Sequence, residues 1–149
     1  MENSIHILIL AAGKGNRMGA ELPKPLVEFK GKPMVAHLLD SLAPLNIQTT
    51  IVAAPDNIDL FKEHLATYDV NYALQEEQLG TGHAVASVEG VYKNAEHLLV
   101  LYADHPFIKK ETVEELISVH QGSNGPISMM TVQLEDFNDW HKNFMHWGR

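Results

Sequence analysis

The chain of 149 residues is 45% hydrophobic and 20% charged, carries a formal net charge of −8, and has no cysteine. A length close to that of one ordinary domain predicts a single domain over residues 1–149, and the acidic balance argues against a nucleic-acid partner, which requires clustered Lys and Arg. No stretch approaches the roughly 18 consecutive apolar residues of a membrane span, and no secretory signal is visible, so we expect a cytoplasmic protein without disulfides or membrane contact.

Segments with strand and helix patterns alternate along the chain. Short β-rich apolar runs predict strands, and apolar residues at helical spacing, as in "PMVAHLLDSLAPL", predict helices. The predicted strands are 5–11, 47–54, 70–75, 97–103 and 126–134, and the predicted helices are 33–45, 57–68, 80–92 and 109–121. Strands separated by helices of this length imply right-handed crossovers, so we expect an α/β fold with a mostly parallel sheet covered on both faces.

A glycine-rich, basic loop follows the first predicted strand. Between residues 14 and 32 five cations outnumber two glutamates, although the whole chain is acidic. The cations are Lys14, Arg17, Lys24, Lys30 and Lys32. Because parallel sheets bind ligands beyond the carboxyl ends of their strands, Gly13 and Gly15 are placed where main-chain N–H groups can approach a phosphate. The compact basic island favours an anion of triphosphate size, and a solvated charged loop is the alternative.

Two common glycine motifs do not match this loop. A dinucleotide fingerprint of the form G-x-G-x-x-G requires glycine where Met18 stands, and neither Gly-Lys pair of the chain is followed by the Ser or Thr of a Walker A loop. A nicotinamide-dependent dehydrogenase is disfavoured further because Asp56 follows a proline in what reads as a turn. By themselves the glycines leave phosphate binding and an ordinary turn both open.

The longer segment around these glycines is more specific. "LAAGKGNRMGAELPKPL" followed by "GKPM" resembles the signature of sugar-1-phosphate nucleotidyltransferases, and "LQEEQLGTGHAV" (74–85) and "LLVLYADHPFI" (98–108) extend the match. Together they look like the uridylyltransferase branch, which makes UDP-N-acetylglucosamine from UTP and N-acetylglucosamine 1-phosphate. The resemblance runs from about Ile5 to about Leu134. It implies a Rossmann-like three-layer α/β/α fold of the nucleotide-diphospho-sugar transferase type, Mg²⁺ as cofactor, and a nucleoside triphosphate and a sugar 1-phosphate as substrates.

The resemblance assigns the triphosphate to the first loop. In such enzymes the sugar phosphate attacks the α-phosphorus in line and pyrophosphate leaves, so the protein chiefly positions reactants and neutralises charge. Arg17 and Lys24 are then the catalytic residues, with Gly15 beside Arg17 at the triphosphate. Prolines on either side of Lys24 restrict where it points, although a surface lysine in a rigid turn is the alternative. The residues against the nucleotide are Leu10, Ala11, Ala12 and Gly13.

The second segment would read the base. The amide of Gln75 offers both a donor and an acceptor, which suits the edge of uracil. Gly80 and Thr81 open a predicted helix, where free backbone N–H groups and a hydroxyl can face the ligand. The alternative interpretation makes Gln75 an exposed strand end and Thr81 an N-cap. His83 is expected to be structural, through packing or capping.

The third segment would hold the metal. Asp104 directly follows a predicted strand, and one or two carboxylates with phosphate oxygens and waters are the usual ligands of Mg²⁺. Tyr102 and Ala103 precede it and are expected at the nucleotide. The family pattern usually has glycine where Ala103 stands, so its methyl group is expected to crowd the ribose or sugar. His105 is expected to be an ordinary loop histidine.

The end of the chain departs most from the family. Relatives continue further and supply much of the sugar pocket, so residues 1–149 are expected to form mainly the nucleotide-binding portion of a longer enzyme. "HWGR" resembles a family segment that approaches the sugar, which places Gly148 at that contact. The alternatives are a nucleotide-binding module with little turnover, or a relative that uses another triphosphate or an acceptor such as a molybdopterin-type cofactor. A non-catalytic interaction module gives no reason for the candidate residues to fall at four strand-end loops.

Overall fold

The computed structural model describes residues 4–13, 22–131 and 133. The strands are β1 (Ile5–Leu10), β2 (Glu28–Phe29), β3 (Lys32–Pro33), β4 (Thr49–Ala53), β5 (Asn71–Leu74) and β6 (His97–Tyr102). The α-helices are α1 (Met34–Leu42), α2 (Ile58–His64), α3 (Thr81–Ser87), α4 (Glu89–Tyr92) and α5 (Lys110–Gln121), and short 3-10 helices lie at Lys24–Leu26 and Ala43–Leu45. None of the helices in these residue ranges combines the length and hydropathy that crossing a membrane requires.

A parallel sheet of four strands forms the centre of the first of two compact units, Met1–Glu111. The strand order is β5-β4-β1-β6, and every neighbouring pair is parallel. The apolar run of β1 suits a strand with neighbours on both sides, since central parallel strands are buried on both faces. Chain order reverses beside β1, so the crevice between the ends of β1 and β6 is the expected ligand position.

Helices cover both faces of this sheet, so the predicted α/β fold with a mostly parallel sheet is confirmed. On one face Leu8 and Val52 are buried against Val88, which lies between α3 and α4. On the other face the hydroxyl of Tyr72 in β5 donates to the carbonyl oxygen of Phe61 in α2 at 3.4 Å, and Phe61 is fully buried. Successive side chains of a strand point to opposite faces of the sheet. Because helices cover both faces, apolar residues are favoured at nearly every position, and the apolar runs are nearly continuous.

A small hairpin that was not predicted from the sequence joins the basic segment to α1. β2 and β3 pair antiparallel across Lys30 and Gly31, which both have positive φ, at 50° and 83°. A two-residue turn of this kind matches the twist of the flanking strands, and glycine adopts positive φ without strain. With only two residues in each strand, no alternating pattern was present to predict it.

The second unit, Thr112–Arg149, contains most of α5 and the segment after it. The helix ends where the backbone N–H of Gly122 donates to Ser118, and His120 Nδ1 shares a 3.0 Å hydrogen bond with Ser128 Oγ. The predicted strand 126–134 is wrong for residues 126–131 and 133, which are not in a strand. Ile127 and Met129 are 80% and 78% exposed, so this apolar run has β-propensity without the pairing that a strand requires. Residues 132 and 134 lie outside the described residues.

A buried histidine links two central strands. His6 in β1 is 2% exposed, and its Nε2 shares a 2.9 Å hydrogen bond with Thr50 Oγ1 in β4. Burial lowers the pKa of His6 below its ordinary value of 6.5, against a smaller opposite effect of the hydrogen bond with Gln48. The folded chain therefore takes up this proton at a lower pH than the unfolded chain does.

We predict that His6 makes the fold less stable as the pH falls through 6.5. Below that value the unfolded state binds the proton first, so the free energy of unfolding decreases until the folded histidine is protonated too. His6→Gln keeps a hydrogen-bonding side chain without the titration, and should lose less stability than wild type between about pH 7.5 and about pH 5.5 in urea unfolding. His64→Gln, at an exposed position on α2, controls for the loss of one histidine. Equal pH slopes for wild type and His6→Gln would contradict the prediction.

Candidate functional site

The carboxyl edge of the sheet fixes where each candidate loop begins. Leu10 and Tyr102, the last residues of β1 and β6, are paired in register. The backbone hydrogen bonds between strands continue for one residue beyond β1 and β6. The N–H of Ala11 donates to the carbonyl oxygen of Val52 at 2.8 Å, and the N–H of Ala103 donates to that of Leu10 at 3.1 Å. The loops after β1 and β6 therefore start side by side at the point where the chain order reverses.

The first loop is described only at its beginning. Ala11 and Ala12 are buried, with 4% and 5% of their surface exposed, and Gly13 is exposed. Gly13 does not have a positive φ, and a Cβ there would have no atom within 4 Å, so the expected conformational need for glycine does not hold at this position. Gly15 and Arg17 lie outside the described residues, as does Gly148.

An ion pair joins two of the predicted site residues. Lys24 Nζ donates to Asp104 Oδ2 at 3.0 Å, across a sequence separation of 80 residues. Lys24 begins a 3-10 helix between two prolines, and Leu26 at the end of this helix is fully buried. Because the 3-10 helix packs against α1, the lysine is held at the sheet edge without being part of the sheet.

Aromatic contact also connects the lysine-bearing segment with the loop after Asp104. The rings of Phe29 in β2 and Phe107 lie 5.5 Å apart at 81°, the edge-to-face arrangement that aromatic pairs favour. Phe29 makes a second such contact with His37 of α1. No sequence motif predicted this cluster, because its members come from three separate segments. It helps to keep Lys24 opposite Asp104.

The surroundings of Asp104 suit a cation that is shared with a ligand. In the ranges that the structure describes, no group of three or more His, Cys, Asp or Glu side chains could hold a metal. Asp104 is 40% exposed, and His105 Nε2 lies 3.8 Å from its Oδ1. Magnesium commonly takes one or two protein carboxylates and completes its shell with phosphate oxygens and water, so a single accessible carboxylate fits it. Ala103 is 1% exposed, so its methyl group is buried and does not project into solvent at the edge.

Gln75 follows β5 at the same edge of the sheet. It is 4% exposed, and its backbone N–H donates to Ala53 O at 2.9 Å, so the alternative of an exposed strand end is wrong. Its side-chain Nε2 lies 3.4 Å from Gly80 O and 3.2 Å from His83 Nδ1. No sequence pattern indicates that His83 is the partner of Gln75, because the eight-residue spacing spans a loop.

Gly80, and not Thr81, occupies the N-cap position of α3. Gly80 has φ of 105° and ψ of 178°, a conformation that strongly favours glycine, and no side chain caps the helix. Thr81 is the first helical residue and is exposed, so the N-cap alternative for Thr81 is wrong. The loop therefore requires the backbone freedom of glycine at position 80.

A family model matches most of the chain. Residues 7–140 match the MobA-like NTP transferase domain. Among solved structures, the chain resembles Rv0371c from Mycobacterium tuberculosis H37Rv at 18% identity with a TM-score of 0.69, covering 82% of this chain and 63% of that one. A manganese complex of the same protein matches at 18% identity with a TM-score of 0.62, covering 80% and 60%.

Two further structures share the fold. A nucleotidyl transferase from Methanothermobacter thermautotroptrophicus matches at 19% identity with a TM-score of 0.62, covering 78% of this chain and 57% of that one. The 4-diphosphocytidyl-2C-methyl-D-erythritolsynthase from Anaerococcus prevotii DSM 20548 matches at 23% identity with a TM-score of 0.61, covering 91% and 60%. These likenesses establish the Rossmann-like fold. The chain spans about three fifths of the length of the structures it matches.

We predict that the Lys24–Asp104 pair contributes little to folding stability. Both side chains are at least one third exposed, and ion pairs of this kind are worth under about 1 kcal/mol because water screens them. A double-mutant cycle with Lys24→Met and Asp104→Asn, measured by urea unfolding, should give a coupling energy below about 1 kcal/mol. Lys62 and Asp59 on α2, at 3.4 Å, provide a matched surface pair. A coupling above about 2 kcal/mol would instead indicate a structural lock.

Proposed function

We propose that this chain, which belongs to the MobA-like NTP transferase domain family, transfers a nucleotidyl group from a nucleoside triphosphate to a phosphorylated acceptor. An oxygen of the acceptor phosphate bonds to the α-phosphorus, the bond from that phosphorus to the oxygen bridging to the β-phosphorus breaks, and pyrophosphate leaves. The observation that carries the proposal is the pairing of Lys24 with Asp104 at the reversal point of the sheet. That position is where open α/β sheets bind ligands.

Lys24 and Arg17 would neutralise the triphosphate. Little covalent chemistry is required of the protein in such a transfer, so positioning and charge stabilisation account for most of the catalysis. In the structure Lys24 and Asp104 compensate each other's charge. A triphosphate offers Lys24 an alternative anion, which frees the Asp104 carboxylate. Gly15 and Arg17 take their places beside the triphosphate by resemblance alone, since both lie outside the described residues.

Asp104 is the residue that would hold a divalent metal, with Mg²⁺ proposed. Bound there with the nucleotide, the metal would offset negative charge on the phosphate oxygens. The manganese complex of a structural neighbour supports a divalent cation in this fold. Asp104 is 40% exposed, and its second oxygen is not bound by Lys24 but lies 3.8 Å from His105 Nε2.

The opposite end of the same edge would receive the base. Gln75 follows β5 and Asp104 follows β6, three strand spacings apart, or about 14 Å. A ligand that contacts both must therefore be extended, as a nucleoside triphosphate is. The residues proposed to lie along it are Leu10, Ala11, Ala12, Gly13, Gln75, Gly80, Thr81, Tyr102 and Ala103.

UTP and N-acetylglucosamine 1-phosphate are the proposed substrates, on the likeness of "LQEEQLGTGHAV" and the two other segments to the uridylyltransferase branch. Gly148 is proposed at the sugar, with residues 1–149 forming chiefly the nucleotide-binding portion. A second candidate is a nucleotide-binding module with little turnover. Members of this fold differ in nucleotide and acceptor, as the diphosphocytidyl name of one neighbour illustrates.

We expect UTP with Mg²⁺ to stabilise the chain more than the other nucleotides do. A ligand that binds only the folded state adds about 2.7 kcal/mol when present at about 100 times its Kd, so the unfolding midpoint should rise. Thermal unfolding with UTP, CTP, GTP and ATP, each with and without Mg²⁺, measures this. A shift largest for another nucleotide would reassign the base, and no shift with any nucleotide would contradict nucleotide binding by this chain.

We expect Asp104→Asn to remove the Mg²⁺-dependent part of that stabilisation, because it removes the charge that would hold the metal.

Lys24→Ala and Arg17→Ala should each reduce turnover with UTP and N-acetylglucosamine 1-phosphate by about 100-fold or more, since each would act on developing phosphate charge. Asp59→Asn and Lys62→Ala, which alter the exposed pair on α2, serve as matched controls and should behave as wild type. Wild-type turnover in a Lys24 or Arg17 variant would exclude that residue from the site.

A further inference from the structure

Two hydrogen bonds fix the side-chain amide of Gln75 in one orientation. Its Nε2 donates to the carbonyl oxygen of Gly80 at 3.4 Å and to Nδ1 of His83 at 3.2 Å. Since a backbone carbonyl can only accept, the contact with Gly80 identifies the nitrogen end of the amide. His83 Nδ1 must then accept, so the neutral imidazole carries its proton on Nε2.

The same two bonds leave the amide oxygen for a ligand. Gln75 Oε1 accepts no hydrogen bond from residues 4–13, 22–131 or 133. The residue as a whole is 4% exposed and its backbone N–H is bonded to Ala53, so it cannot shift without losing hydrogen bonds.

We propose that His83 is a positioning residue that determines which base is accepted. By accepting from Gln75 Nε2, it directs Gln75 Oε1 toward the base, where the oxygen accepts from a ring N–H. The inference rests on the proposed function, in which Gln75 reads the base. At ring position 3 uracil carries an N–H and cytosine a lone pair, so a fixed oxygen favours UTP over CTP. A freely rotating amide would present either end and would discriminate less.

Two substitutions separate this role from packing. His83→Asn keeps an acceptor oxygen close to the position of Nδ1 but removes the ring, whereas His83→Phe keeps a ring without an acceptor. A positioning role predicts that Asn preserves base selectivity and Phe loses it. A packing role predicts the reverse, because His83 is half-buried in α3.

The Kd values of UTP and CTP, measured by calorimetry with Mg²⁺ on the whole chain, provide the test. Wild type and His83→Asn should prefer UTP by about tenfold or more, and His83→Phe should bind the two within about threefold of each other. Selectivity retained by His83→Phe and lost by His83→Asn would overturn the proposal. Thermal unfolding of both variants checks that the fold is intact.

The tautomer of His83 tests the geometry without any nucleotide. Long-range proton–nitrogen NMR correlations on the ligand-free chain near neutral pH should show the proton on Nε2, and a proton on Nδ1 would overturn the proposal. If wild type binds UTP and CTP equally, the His83 assignment alone fails. If it binds no nucleotide, the proposed function fails and the assignment fails with it, whatever the tautomer.

Discussion

The pairing of β1 with both β4 and β6 is the constraint on which the candidate site depends. β1 has strands on both sides in the register observed, and Ile7, Leu8 and Ile9 are fully buried. That register sets Leu10 level with Val52 and Tyr102. The loops after β1 and β6 consequently leave the sheet at neighbouring points, although they lie far apart in the sequence, and a crevice opens between them.

The lysine opposite Asp104 reaches this crevice by a different route. Lys24 belongs to no strand of the parallel sheet. Prolines on both sides restrict its backbone, and the buried side chain of Leu26 anchors the same short 3-10 helix in the core. The β2–β3 hairpin then brings Phe29 against Phe107, three residues after Asp104. The cation is thus held from outside the parallel sheet and the carboxylate from its edge.

The sequence predicted the parts of the molecule whose causes are local. The apolar run of β1, the helical spacing in α1 and the carboxylate after β6 follow from periodicity and from the rule for strand ends, and family resemblance added Lys24 and Gln75. Contacts between distant segments were not predictable in this way, because the Lys24–Asp104 pair depends on strand order and the Gln75–His83 bond on a loop conformation set by Gly80. The strand proposed at 126–134 was wrong for its described residues because propensity alone cannot supply a pairing partner.

The two ends of the candidate site differ in how firmly their polar groups are held. The Lys24–Asp104 pair is partly exposed. Because water screens such a pair, either side chain can exchange its partner for another ion at a small cost in free energy. The Gln75 amide is buried, and a buried donor that loses its partner costs about 1–3 kcal/mol, so it does not rotate freely. Under the proposed function this difference is useful. Phosphates arrive with their own charge and metal, and require a site that can exchange partners, whereas telling one base from another requires a donor or acceptor whose position is settled before the ligand binds.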